Sequence, residues 1–465
     1  MRIHLPVSLV SFFFLALLPE AYAQTPPKEP PAAPVSAPQP AIDGILAAFK
    51  THPIVAIDDA HGLAQQLDFY GALVRDPRFG REVGNVVVEF GGSARQDIID
   101  RYVAGEDVPY TELRRVWTDT VGWIPVVPYI GQINFFAHVR SANLKLPADQ
   151  RIRVWLGEPP IDWSKISTRA DFIPLLRARD DFPGALINRE ILGKNRRALV
   201  VYGGGHLFTY LPDNPDAKPH AGTEAALRQI YADLALDRPT FSLLTPALLA
   251  DLEKLYGKEL SGMQGFVYVI GPIKSVEFRG ADAEGSDVYF FTTSNSNLRA
   301  TISLDASGKA TRFNFDPLSI PMIVEAQRPG AVFHVAPYRG FAGKGCIRRF
   351  EDRATAWPVP ALAPLRGTQL ERELEAPDCG DIPGGIAAKD NPEPRANDRT
   401  LTHDAMLYLG PARDLMISPG LPDMYLDADY RKDILSRGRA MPGVPTNAEP
   451  DMKSITVTPK RWRPD

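Results

Sequence analysis

Four short runs of consecutive apolar residues punctuate the first half of the chain, and each closes on charged or imidazole side chains. PIVAIDDAHG (Pro53 to Gly62) ends in Asp58, Asp59 and His61. GNVVVEFGG (Gly84 to Gly92) closes on Glu89. IRVWLGEPPIDW (Ile152 to Trp163) closes on Glu158 and, beyond a Pro-Pro turn, on Asp162. RALVVYGGGHLF (Arg197 to Phe208) breaks into three glycines and His206. Unbroken Val/Ile/Leu runs suit strands covered on both faces, whereas half-exposed strands alternate. Between them, Leu63 to Asp76 carries apolar residues at helical spacing, and Ala94 to Gly105 does the same before ending at glycine. About thirty residues separate the first two runs, which suits a βαβ unit. The pattern predicts an α/β domain with a mainly parallel sheet flanked by helices. Ligands of such sheets bind outside the carboxyl ends of the strands, where these polar residues stand.

The texture changes near Gly222. TEAALRQIYADLAL and TPALLADLEKLYG have helical spacing, and three strand-like segments then run to about Leu318, with a hairpin turn at Asp305 to Lys309. Helices followed by a meander predict an inserted α+β unit. Gly330 to Phe341 (GAVFHVAPYRGF) and Asp404 to Pro411 (DAMLYLGP) resume the buried-strand texture. The expected organisation is a discontinuous α/β domain over 42–220 and 321–440, interrupted by the insert at 221–320. Residues 441–465 lack apolar periodicity and read as a disordered tail.

Arg2, the apolar stretch Leu5 to Leu18 and the small-x-small triplet Ala21-Tyr22-Ala23 mark residues 1–23 as a signal peptide cut at Ala23/Gln24. The apolar stretch is too short to favour a spanning helix, and no cysteine follows it for lipid anchoring. A periplasmic or secreted protein with no stable membrane insertion after cleavage is expected. Residues 24–41 form a Pro/Ala-rich tether. The net charge of −4, from 52 Lys and Arg against 56 Asp and Glu, offers no bulk basic field for nucleic acid. Cys346 and Cys379 could pair in an oxidising compartment, and their spacing does not suit zinc.

Each polar strand end has a functional and a structural reading. Asp59 can orient His61 or ligate a metal with it, or it can cap the helix that follows. Glu89 stands among apolar residues, so it needs a partner, either a site or a salt bridge with Arg95. The glycines before His206 lack the companions of a phosphate loop, so they suit a turn where substrate approaches the backbone at Gly204 and Gly205. Glu158 and Asp162 serve either the site or turn and cap chemistry. No G-x-S-x-G elbow or H-E-x-x-H motif occurs. His52, His220, His334 and His403 fall beside prolines or in turns and strands, and His138 falls on a helix.

The order D-x-H, V-V-E-F-G, I-D-W and G-G-G-H resembles the erythromycin esterase/ChaN-like/Tiki (TraB) superfamily, over about Ile42 to Pro212 and again from Ile323 to Arg439. In its esterase-like members the resemblance implies a base or metal-site histidine at His61, an acid at Glu89 and a further histidine at His206. Those members usually carry Glu two places before the first histidine, where Asp59 stands here. The insert resembles the nuclear-transport-factor-like (SnoaL-like) cone fold. The expected function is hydrolysis of an ester or amide bond in a small-molecule or peptide substrate. His61 would activate water directly or through a divalent metal shared with Glu89 and His206, Asp59 would orient it, and Glu158 or Asp162 would complete the shell. The insert would cover the site or mediate a homodimer. The alternative is a non-catalytic protein of the ChaN-like type, holding haem or another small molecule with a histidine as axial donor.

Overall fold

Six of the apolar runs lie side by side in one sheet. The computed structural model describes residues 34–122, 129–209, 214–340, 344–374, 403–438 and 460–462, together with Pro212, Cys379 and Ala440. The segment 1–23, expected to be a signal peptide, and residues 441–459 of the tail lie outside the described residues. The strands are β1 (Gln39–Pro40), β2 (Ile54–Asp59), β3 (Asn85–Gly92), β4 (Arg153–Glu158), β5 (Ala198–Gly203), β6 (Ile273–Ala281), β7 (Asp287–Thr293), β8 (Asn297–Leu304), β9 (Ala310–Pro317), β10 (Val332–Pro337), β11 (Ala361–Pro364), β12 (Ala405–Tyr408), β13 (Met416–Ile417) and β14 (Lys460–Arg461). The large sheet has the order β1-β11-β12-β10-β2-β5-β3-β4. Its strands from β12 through β4 are parallel, and β11 and β1 close one edge antiparallel.

The unbroken apolar runs follow from burial on both sides. Val55, Ile57, Val86, Val88, Leu199 and Val201 face a core that includes Tyr70, Trp117 and Phe135. Their neighbours Ile54, Ala56, Val87, Val200 and Tyr202 face a second core with Leu186, Ile187 and Val324. Side chains alternate across a strand, so each run must be apolar at both parities. Each Val, Leu and Ile among them contributes roughly 1.5–3 kcal/mol by leaving water.

Residues 223–317 fold on a different plan. Helices Thr223–Leu234, Pro246–Tyr256 and Ser261–Ile270 pack on the antiparallel meander β6-β7-β8-β9 around their own apolar cluster. Thr245 caps the second helix by accepting from the Leu248 amide, with Pro246 at the first position, where no amide donor is needed. In the β8–β9 turn, Asp305 Oδ1 accepts from the amides of Ser307 and Lys309, and Gly308 supplies the positive φ of 80°. The Asn297 side chain meets Asp181 of the α/β body at 2.5 Å.

Two expectations about the ends need correction. The tether 24–41 is not free along its whole length: Gln39 and Pro40 pair with Leu362 and Ala361, and the Ser36 hydroxyl donates to the Pro364 carbonyl. The tail 441–465 is not without structure, because Lys460 and Arg461 pair with Ile417 and Met416. Trp462 packs on the main core, and its amide donates to Leu415. A two-residue strand and one aromatic anchor leave no periodic trace in a sequence. Cys346 and Cys379 are joined in a disulfide beside Tyr338, Phe350 and Leu370.

Candidate functional site

The order β2-β5-β3 puts the ends of three polar-tipped strands next to one another. Asp59 ends β2, Gly203 ends β5 in register with it, and Glu89 lies near the end of β3. His61 stands just past β2, where its Nδ1 meets Asp59 Oδ2 at 2.8 Å. Its Nε2 points across Gly203 to Glu89 Oε2, 3.8 Å away. His206 approaches the other Glu89 oxygen, with Nε2 to Oε1 at 3.6 Å, while its Nδ1 meets Asp180 Oδ1 at 2.6 Å. Two imidazoles, each held at Nδ1 by a carboxylate, thus converge on one buried anion. The Glu89 side chain is 2% exposed, against 25% for His61 and 19% for His206, so the rings form the accessible lip.

Gly203 makes this crossing feasible. A Cβ there would lie 2.8 Å from His61 Nε2 and 3.3 Å from Glu89 Oε2. Its amide also donates to Glu89 Oε2 at 2.6 Å. Behind the rings, Arg179 bonds Glu89 through Nη2 at 2.5 Å and Glu158 through Nε at 2.8 Å. Tyr202 lies edge-on to His206, and its buried hydroxyl occupies the space a Cβ at Gly157 would take.

The charges follow from these contacts. Burial by itself would push the His61 imidazole down, but the Glu89 carboxylate and Asp59 outweigh it and lift it to about 9. Burial would raise Glu89, yet His61, His206 and Arg179 hold it at about 2, so it stays anionic. His206 also ends above its usual range, because Asp180 and Glu89 overcome burial. Glu158 is pushed up by burial, and Arg179 offsets this only in part.

His61, Glu89, His206 and Asp59 therefore share one cluster, with Glu158 tied to it through Arg179. Asp162 does not join it. It is about half exposed, caps the turn Trp163–Lys165 through Ser164 and pairs with Lys165. A Cβ at Gly205 would meet nothing within 4 Å, and the glycine that lets the His61 ring approach Glu89 is Gly203. Arg95 is not the partner of Glu89. It pairs with Asp119 at 2.7 Å, where the Asp119 carbonyl packs directly over Gly92. Arg179 and Asp180 carry no strand-end signature, and their only sequence trace is a charged ARDD stretch in a helix-rich segment.

The cluster does not suit a divalent metal on His61, Glu89 and His206. The guanidinium of Arg179 and the Gly203 amide already occupy both Glu89 oxygens, and a cation there would meet a permanent positive charge at close range. A haem iron fits no better, because the Nε2 atoms face a carboxylate rather than an apolar slot.

The other candidate lies one residue earlier on β2. Asp58 accepts from His334 Nε2 at 2.7 Å and from His403 Nε2 at 2.9 Å, with the two rings 4.1 Å apart. All three residues are buried. Burial would raise the Asp58 carboxyl, but the two imidazoles hold it well below the carboxylate range. Burial and His403 push His334 down. Sequence spacing missed this group because its members are some 276 and 345 residues apart.

A cavity of about 700 Å³ opens at the opposite, amino-terminal ends of the same strands, lined by Lys50, Arg151, Arg196 and Arg328 among others. It includes none of the candidate residues.

No protein-family model matches the chain, and no curated protein matches it. Among solved structures, the type III effector HopBA1 aligns at 14% identity, covering 40% of this chain and 81% of that one, with a TM-score of 0.27. So low a score carries no argument about function.

Proposed function

We propose that the strand-end cluster is the catalytic centre of an exported hydrolase that cleaves an ester or amide bond without a metal, in keeping with the motif resemblance to the erythromycin esterase/ChaN-like/Tiki superfamily. The observation that carries the reading is the convergence of His61 and His206 on Glu89, each with its Nδ1 held by a carboxylate. That arrangement sets the tautomer and aims Nε2 at the site. His61 in its neutral form takes a proton from water, and the resulting hydroxide adds to the carbonyl carbon. His206 as imidazolium stabilises the oxyanion and then gives its proton to the leaving oxygen or nitrogen. Glu89 stays ionised between them and balances the charge that passes from one ring to the other. Arg179 is a positioning residue that holds Glu89 and Glu158. The disulfide Cys346–Cys379 supports an oxidising, extracytoplasmic setting.

With His61 lifted to about 9, only about one per cent of it is the neutral base at pH 7. Hydrolysis should therefore climb about tenfold per pH unit up to that value. The test is a panel of activated acyl esters, lactones and peptide amides, assayed with chelator present. His61→Ala and His206→Ala should each lower turnover by ~10²–10⁴-fold. Turnover that is equal in wild type and His61→Ala across the panel would reject the reading.

A further inference from the structure

We propose that Asp58, His334 and His403 form a binding site for one divalent transition-metal ion of the zinc type, which clasps the sheet behind the catalytic cluster. Three observations support it. Two imidazole nitrogens and a carboxylate are the donor set such ions select, and one donor atom from each residue lies within 4.8 Å of the other two. Tetrahedral donors about 2.0–2.2 Å from a metal stand roughly 3.3 Å apart, so a small outward relaxation accommodates the ion.

The second observation is charge. Some buried carboxylates of this chain meet guanidinium groups, as Glu89 and Glu158 meet Arg179 and Asp119 meets Arg95 and Arg437, whereas Asp59 and Asp287 meet the imidazoles of His61 and His220. Asp58 is equally buried, yet among the described residues only the two imidazoles pair with it. No guanidinium or ammonium group pairs with this carboxylate among the described residues. A single divalent ion supplies the missing charge.

The third observation is hydrogen bonding and placement. The Nε2 atoms of both rings converge on Asp58, while their Nδ1 atoms are buried without a partner among the described residues. The ligands come from the end of β2, from β10 and from the residue two places before β12. The segment 223–317 separates the first from the other two in sequence. An ion here would tie strands contributed by both halves of the α/β body. It would also fix the backbone of Asp59, which leaves the opposite face of β2 to hold His61.

The experiment uses the full mature chain, stripped with chelator and reloaded with zinc. Metal analysis should find about one equivalent per chain, and the unfolding midpoint should rise by several degrees. Cobalt loading should give the visible absorption of a low-coordinate site with nitrogen ligands. His403→Ala and Asp58→Asn should lose the metal, whereas His61→Ala should keep it. If those variants fail to fold, X-ray absorption on the zinc-loaded wild type decides, and a shell with two imidazoles is the expected result. Less than about a tenth of an equivalent in the wild type, an absorption shell without imidazole, or zinc lost in His61→Ala but kept in His403→Ala overturns the proposal. The last outcome would also return the metal to the strand-end cluster, separating the two sites.

Discussion

Replacing Glu89 with glutamine tests the electrostatics of the site before any substrate is known. The change keeps the shape and removes the anion that His61 faces at 3.8 Å. At an effective dielectric constant near 20, a unit pair at that distance is worth about 4 kcal/mol, or about 3 pH units in the titration of the imidazole. His61, lifted to about 9 in the wild type, should then titrate near roughly 6 in Glu89→Gln, since burial still opposes its charge. The readout is the ring Cε1–H resonance followed from pH 5 to 10 by NMR. The chain has 8 histidines, and a His61→Gln sample assigns the signal. An amide cannot accept from both Arg179 and Gly203 without turning its own N–H₂ towards a donor, so a stability loss of about 1–3 kcal/mol should accompany the shift. A midpoint that stays above about 8 in a folded variant would refute the claim that Glu89 governs His61.

Other predictions follow from the same contacts. Because the folded pKa of His61 is raised, its stabilisation is complete below about 6.5 and is lost as pH climbs through about 9. This amounts to about 3 kcal/mol and should appear in urea melts at pH 6 and 9.5, with no such slope in Glu89→Gln. Gly203→Ala has an acceptable φ of −55°, so its cost of about 1–3 kcal/mol comes from contact with the His61 ring. It should displace the ring and lower its titration midpoint, and an unchanged midpoint would mean the ring does not cross Gly203. Replacing Cys346 and Cys379 by serine opens a loop of 33 residues, which should cost about 3–4 kcal/mol in calorimetry. Equal melting of the oxidised and serine forms would show that the bridge does not constrain the unfolded chain.

Much of the sheet was legible because burial on both faces forces unbroken apolar runs, and those runs are visible without any contact information. Asp59, His61, Glu89 and His206 were legible for a related reason: polar residues at the tips of buried strands mark the carboxyl edge of a parallel sheet. Asp162 shares that sequence position but turns outward to cap a short helix, since a residue past a Pro-Pro turn is no longer held by the strand. Arg179 was invisible, because an arginine between two helices looks the same whether it is solvated or spans two buried carboxylates.

The sequence by itself determined that the long apolar runs become strands, which residues stand at their tips, and where a helix-and-meander unit interrupts them. These are local properties of pattern and period. Only the tertiary structure decided the strand order that places Gly203 between Asp59 and Glu89, so that one missing Cβ lets His61 cross the middle strand. It alone brought Asp58 to His334 and His403, and it alone gave Glu89 an arginine from outside the sheet. Strand order is set by how whole faces pack, and no residue carries that information in its neighbours along the chain.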